Sequence, residues 1–116
     1  VSWFKRVKYF FMPADRILAE QVDDIPSKTL GIYGAGELGQ AVVALLQQRG
    51  IKPDYWYDGQ IKEGTHSLMQ IAVYAPQQLA VHQPERLIVA SEAYAEEISK
   101  NCRQLGYQGN LICLHK

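Results

Sequence analysis

The stretch that most constrains this chain is Thr29–Gly50, TLGIYGAGELGQAVVALLQQRG. A short apolar run, Leu30 to Tyr33, leads into Gly34-Ala35-Gly36-Glu37-Leu38-Gly39, and a helical pattern follows at once. This is G-x-G-x-x-G in the setting that gives the motif meaning, between a strand and a helix. Each glycine has its own expected duty. Gly34 lets the chain turn tightly out of the strand, Gly36 lets the backbone approach a pyrophosphate, and Gly39 lets the helix lie close on the strand. The first free N–H groups of the helix, with the positive end of its dipole, form an anion-binding position.

The helix after the loop carries Leu38, Val42, Leu45 and Leu46 on one face, the spacing of a helix laid on a sheet. Gln40, Gln47, Gln48 and Arg49 are expected to face solvent, and Gly50 to end the helix. Ile51–Asp58 reads as an aromatic-rich strand. Gln60–Gln70 is polar and reads as a loop, with a short edge strand around Thr65–Leu68 as an option. Ile71–Tyr74 is a third strand, and Pro76 suits the first position of a short helix. Arg86–Ala90 has the uninterrupted apolar character of a strand buried on both faces. Ser91 is placed to cap the next helix, Glu92 to complement its dipole, and Tyr94, Ile98, Cys102 and Leu105 to bury its inner face. Leu111–Leu114 is the last strand.

Alternating strands and helices demand right-handed crossovers and a parallel sheet. The expected fold is α/β: a Rossmann-like three-layer sandwich with a mainly parallel five-stranded sheet, order 3-2-1-4-5, preceded by an amphipathic N-terminal helix. Ligands of such sheets bind beyond the carboxyl ends of the strands, at the switch point. That edge collects Gly34 to Leu38, Asp58, Ala75 and Ser91 to Tyr94.

The 116 residues suffice for one core and not two, so the chain divides into an amphipathic helix with linker, 1–27, and one nucleotide-binding domain, 28–116. Twelve basic against twelve acidic residues leave no basic excess to point to nucleic acid. No apolar run approaches a membrane span, and no secretory h-region is visible. Cys102 and Cys113 sit in no CxxC pair and read as buried reduced thiols rather than a disulfide or metal site. Together these features favour a cytoplasmic setting. His66, His82 and His115 lack metal-ligand spacing and read as surface or loop residues. Trp3, Phe4, Val7, Phe10 and Phe11 form an apolar stripe at helical spacing with Lys5, Arg6 and Lys8 between. Residues 3–12 are therefore expected to pack on the domain's own core, a partner domain or a second copy, ahead of a peripheral membrane contact.

Asp58 lies about 20 residues beyond the glycine loop, where an acid accepts hydrogen bonds from ribose hydroxyls. Such an acid favours a free 2′-hydroxyl, hence NAD or a uridine nucleotide over NADP. Glu37 complements the helix dipole without any ligand, and repels a phosphate unless it points outward. The candidate cofactor-binding set is Gly34, Ala35, Gly36, Glu37, Leu38, Gly39, Asp58, Ser91 and Glu92. No Ser-x-x-x-Lys, Tyr-x-x-x-Lys or paired His and carboxylate stands near the crevice, so no catalytic residue is assigned.

The run KTLGIYGAGELGQ…YWYDG…GT…IAVYAPQQL…RLIVASEAYAEEI…LGY…LICL resembles small Rossmann-like modules of bacterial sugar-nucleotide and polysaccharide-biosynthesis proteins. Among these are the N-terminal domain of sugar acyltransferases of the left-handed β-helix type and the nucleotide-binding domain preceding some nucleoside-diphosphate-sugar dehydratases; similar modules are appended to some methyltransferases. The resemblance implies Gly34, Ala35, Gly36, Leu38 and Asp58 as contacts to a UDP-sugar. Two departures stand out. Glu37-Leu38 replaces the glycine-histidine pair frequent in the acyltransferase relatives, and the hexapeptide repeats that build the β-helix are missing. The expectation is a non-catalytic nucleotide or nucleotide-sugar module, with UDP-sugar or NAD as ligand. The alternatives are a ligand-free interaction or dimerisation module, and part of a sugar-modifying enzyme whose second lobe lies on another domain or chain.

Overall fold

The computed structural model describes residues 14–22 and 28–114. The expected helix over Trp3–Phe11, the contact segment 3–12, most of the linker and His115 lie outside the described residues. Six strands form one sheet: β1 (Leu30–Tyr33), β2 (Tyr55–Tyr57), β3 (Thr65–Leu68), β4 (Ile71–Tyr74), β5 (Arg86–Val89) and β6 (Asn110–Ile112), in the order β3-β4-β2-β1-β5-β6. The pairs β4–β2, β2–β1, β1–β5 and β5–β6 are parallel, and β3 is antiparallel on β4. Among the described residues the sheet thus has six strands where five were expected, the sixth being the edge strand over Thr65–Leu68 that the sequence offered as an option. The added one closes a hairpin whose two-residue loop, Met69-Gln70, has positive φ at both positions, 52° and 65°. Such loops usually advertise themselves as Asn-Gly or Asp-Gly. Met-Gln carries no such signal.

Helices cover both faces. Helices α1 (Ala14–Glu20) and α2 (Glu37–Gln48) share one hydrophobic cluster with Leu30, Ile32, Trp56, Val73, Ile88 and Ile112. A 3₁₀ turn (Pro76–Gln78) running into α3 (Leu79–His82), with α4 (Ala95–Gln104), covers the other. There Leu79 and Cys102 meet Tyr57, Leu87 and Tyr107. The side-chain period of two along each strand sorts these residues, so that Trp56 and Tyr57 enter opposite cores. All four residues of β5 are buried, as a central parallel strand requires.

Several local expectations need correction. The strand expected over Ile51–Asp58 shortens to Tyr55–Tyr57, because Asp54 instead brackets the start of β1: its Oδ2 accepts from Leu30 N at 2.8 Å and its own N–H donates to Leu30 O at 2.8 Å. The last strand runs Asn110–Ile112 rather than Leu111–Leu114. Ser91 does not cap α4, which begins four residues later with Tyr94 at the cap position. Its Oγ accepts from Tyr94 N–H at 3.0 Å and closes a turn ahead of the helix. Tyr94, outside the helix, is 65 % exposed rather than packed. Cys102 is buried, which pushes its thiol up to about 11, while Cys113 is only half-buried and lies 3.3 Å from Ser99 Oγ. His82 is half-buried and partnered: its ring stacks on Tyr55 with centroids 4.1 Å apart, and its Nδ1 lies 2.9 Å from Tyr57 Oη.

Arg49, expected only to face solvent, staples α1 to the domain. Its Nη1 donates to Ala19 O at 2.7 Å and its Nη2 to Val22 O at 3.1 Å, satisfying carbonyls at the end of α1. Leu18, Ala19 and Val22, which lie in the segment grouped with the linker, enter the core cluster beneath it. Arg49→Ala is expected to lower stability by about 1 kcal/mol, discounted for the exposure of the side chain. Arg49→Lys should recover only part of that, since an ammonium cannot fork to two carbonyls. Urea midpoints of the three proteins would check this, and equal midpoints would remove the staple.

Candidate functional site

The carboxyl ends of β1 and β2 build the site together. Gly34 leaves β1 with φ 115°, and its N–H donates to Tyr57 O at 2.7 Å. Its own carbonyl accepts from the Trp56 indole Nε1 at 2.7 Å. Ala35 N–H donates to Asp58 Oδ2 at 2.7 Å, and Ala35 O accepts from the Gln40 side-chain amide at 3.0 Å. Every main-chain polar group of Gly34 and Ala35 is thereby used, three of the four by Trp56-Tyr57-Asp58. The loop is held in one shape before any ligand arrives.

From Gly36 onward the pattern changes. The first bond inside α2 is Gln40 N–H to Gly36 O at 3.0 Å, and no side chain caps the helix. The N–H groups of Glu37, Leu38 and Gly39 therefore have no helical acceptor, as at any helix start. The three glycines now separate in kind. A β-carbon at Gly39 would collide with the carbonyl of Gly34, and one at Gly34 would lie 3.0 Å from Ala90 O. At Gly36 a β-carbon would meet nothing within 4 Å, and φ −80° with ψ −161° is backbone that any residue adopts. The fold requires the outer two glycines and leaves the middle one free.

Beside Gly36 lies a cleft of about 450 Å³, lined by Ala35, Gly36, Asp58, Gln60, Ile61, His66, Ser67, Leu68 and Val73. This size falls within the range of small-molecule sites. Asp58 joins its two walls: Oδ2 holds Ala35, and Oδ1 accepts from Gln60 N–H at 2.8 Å. Each oxygen still has a lone pair for a further donor.

Of the candidate residues, Gly34, Ala35, Gly36 and Asp58 meet here. Glu37 is exposed at the first position of α2 and lines no part of the cleft. Leu38 packs its side chain on the core, leaving only its backbone toward the loop. Gly39 is buried. Ser91 and Glu92 follow β5, on the far side of β1 from the cleft, and do not line it. Residues the sequence reading missed are Trp56 and Gln40, which fix the loop, and Gln60, Ile61, His66 and Leu68, which wall the cleft. A larger hollow, about 620 Å³, lies at the opposite edge of the sheet, around the amino ends of β5 and β6. Its polar groups already serve the fold: Glu85 N–H donates to Thr29 Oγ1, and the Gln83 amide to Gly106 O. Among the described residues no group of His, Cys, Asp and Glu could hold a metal ion, and no helix is long and apolar enough to cross a membrane.

No protein-family model matches the sequence, and no curated protein matches it. Among solved structures the chain is similar to RSP, a Rex-family repressor, with a TM-score of 0.53 and 15 % identity over 76 % of this chain. The match covers 53 % of the repressor chain, so this chain spans about half its length. At such identity the likeness shows the fold alone: a Rossmann-like α/β sandwich with a mostly parallel sheet.

Proposed function

We propose that this domain is a non-catalytic nucleotide-binding module whose ligand lays a phosphate against Gly36 and a ribose against Asp58. The observation that carries this reading is the middle glycine. Packing and backbone conformation explain Gly34 and Gly39, and neither explains Gly36. A glycine with open space over it, beside N–H groups that lack helical acceptors, suits close approach by a diphosphate. Asp58 supports a ligand with a free 2′-hydroxyl, since a 2′-phosphate would face a carboxylate held rigidly by two backbone donors. NAD and a UDP-sugar both meet that requirement. The fold and cleft favour neither, and a place in sugar-nucleotide or surface-polysaccharide metabolism rests on the sequence resemblance.

Titration calorimetry with NAD, NADP and UDP-glucose tests the reading. NAD or UDP-glucose should bind, and NADP at least about tenfold more weakly than NAD, the consequence of a like-charge contact of about 1.4 kcal/mol. Gly36→Val should lower thermal stability only slightly, as a poorer N-cap residue, and weaken binding at least about tenfold, because its side chain would fill the space left for phosphate. Absence of heat with all three ligands at millimolar concentration, or full binding by Gly36→Val, would overturn the reading.

A further inference from the structure

The cleft beside the glycine loop has a wall that the loop and its acid do not account for. It comes from β3, the antiparallel edge strand. Register sets its chemistry: His66 pairs with Val73 and Leu68 with Ile71, and directly paired residues point to the same face of a sheet. Val73 and Ile71 belong to the core under α2, so His66 and Leu68 stand on the face that the glycine loop overhangs. Leu68 and Ile61 pack against that same core, giving the cleft a fixed apolar floor with Val73. His66 lines the same cleft, on the same face of the sheet as Leu68 and Val73, exposed and with no hydrogen bond to any described residue.

The hairpin is kept in this register at a cost. Met69 and Gln70 both occupy left-handed backbone, which non-glycine residues adopt unfavourably. Strain of this kind gathers where a structure must hold a particular side-chain arrangement. An apolar floor bordered by an aromatic ring, reached from a carboxylate placed to accept from ribose hydroxyls, suits a planar heterocycle. It is a poor environment for a sugar or a second phosphate, which need many donors and would desolvate against Ile61, Leu68 and Val73.

We infer that the β3–β4 hairpin forms a nucleobase pocket, in which the base of the bound nucleotide lies between the Ile61–Leu68–Val73 floor and the ring of His66. This inference rests on the nucleotide-binding reading above. His66 acts here as a specificity-determining residue, and an aromatic ring of another kind can replace it.

The test uses calorimetry and saturation-transfer NMR with ADP, NAD and UDP-glucose on the wild type, His66→Ala and His66→Phe. The two variants should melt with the wild type, because His66 is exposed on an edge strand. For the ligand that binds, His66→Ala should weaken affinity about tenfold, within the range for loss of one base–aromatic stack. His66→Phe should restore most of it. Saturation transfer should be strongest on the base protons in the wild type and His66→Phe, and fall toward the ribose value in His66→Ala. Unchanged affinity and base-proton transfer in His66→Ala, with wild-type binding intact, would overturn the base pocket while leaving the nucleotide site standing. No binding by the wild type would overturn both.

Discussion

Gly39→Ala should lower the stability of the domain by about 3 kcal/mol and its melting temperature by about 10–15 °C, the largest effect expected of any single methyl group in the glycine loop. The added carbon would fall on the carbonyl oxygen of Gly34, and neither atom has room to yield. Gly34 is fixed from both sides, by Tyr57 O on its N–H and by the Trp56 indole on its carbonyl. Gly39 lies in the first turns of α2, whose Val42, Val43 and Leu46 are fully buried. Moving the helix away to admit the methyl would open the cluster that these residues share with Leu30, Ile32 and Ile88. The contrast is with Gly36→Ala, only three residues away: a β-carbon there meets nothing, so thermal melts should show only the small loss of a poorer N-cap residue. A melting temperature for Gly39→Ala within a few degrees of wild type would mean that α2 can slide on the sheet.

That contrast also shows what a sequence can and cannot reveal. The string Gly34–Gly39 announced strand, turn and helix because the geometry it serves is largely local: the close approach of Gly39 to the Gly34 carbonyl falls within six residues. Asp58 was legible from distance along the chain alone, since a strand and helix of ordinary length bring it back to the loop. Trp56 was not, because an indole that packs in a core and an indole that also donates to Gly34 O read identically in one dimension. The strand that walls the cleft was legible only as an option, for a different reason. Thr65–Leu68 is largely exposed and lacks the apolar alternation that marks a half-buried strand, and its Met69-Gln70 loop has none of the residues that ease left-handed backbone. Tyr94 misled in the opposite direction. It stands at helical spacing from Ile98 and Cys102, and its carbonyl accepts the first helical bond from Ile98 N–H at 2.9 Å, but as the cap residue it has non-helical backbone (φ −119°, ψ 16°), and its side chain stays exposed instead of joining the buried face.

Asp58→Asn should cost about 1–3 kcal/mol of stability and weaken nucleotide binding at the same time. The carboxylate accepts from two backbone N–H groups, Ala35 on Oδ2 and Gln60 on Oδ1. An asparagine offers one acceptor oxygen and one NH₂. Whichever way its amide is turned, one backbone donor faces another donor: the part-buried Ala35 N–H, or the exposed Gln60 N–H, which water can reach. Asp58→Ala leaves both donors without their acceptor and should be worse than Asn. Urea titrations of the two variants at neutral pH would check the order, and an Asn variant within about 0.5 kcal/mol of wild type would mean that water replaces the carboxylate without loss. Binding adds the second axis. In the proposed reading Asp58 braces the loop and takes the ribose with the same two oxygens, so both properties should fall together in its variants. In Gly36 variants binding should fall far more than stability, since an added side chain there meets nothing in the fold. A nucleotide module whose acid also braces its own phosphate loop would be stabilised by its ligand in the wild type, by about 2.7 kcal/mol at a hundredfold excess over Kd. That stabilisation should be much reduced in Asp58→Asn when the same ligand concentration is used. Equal ligand-induced shifts in the two proteins would confine Asp58 to bracing the loop.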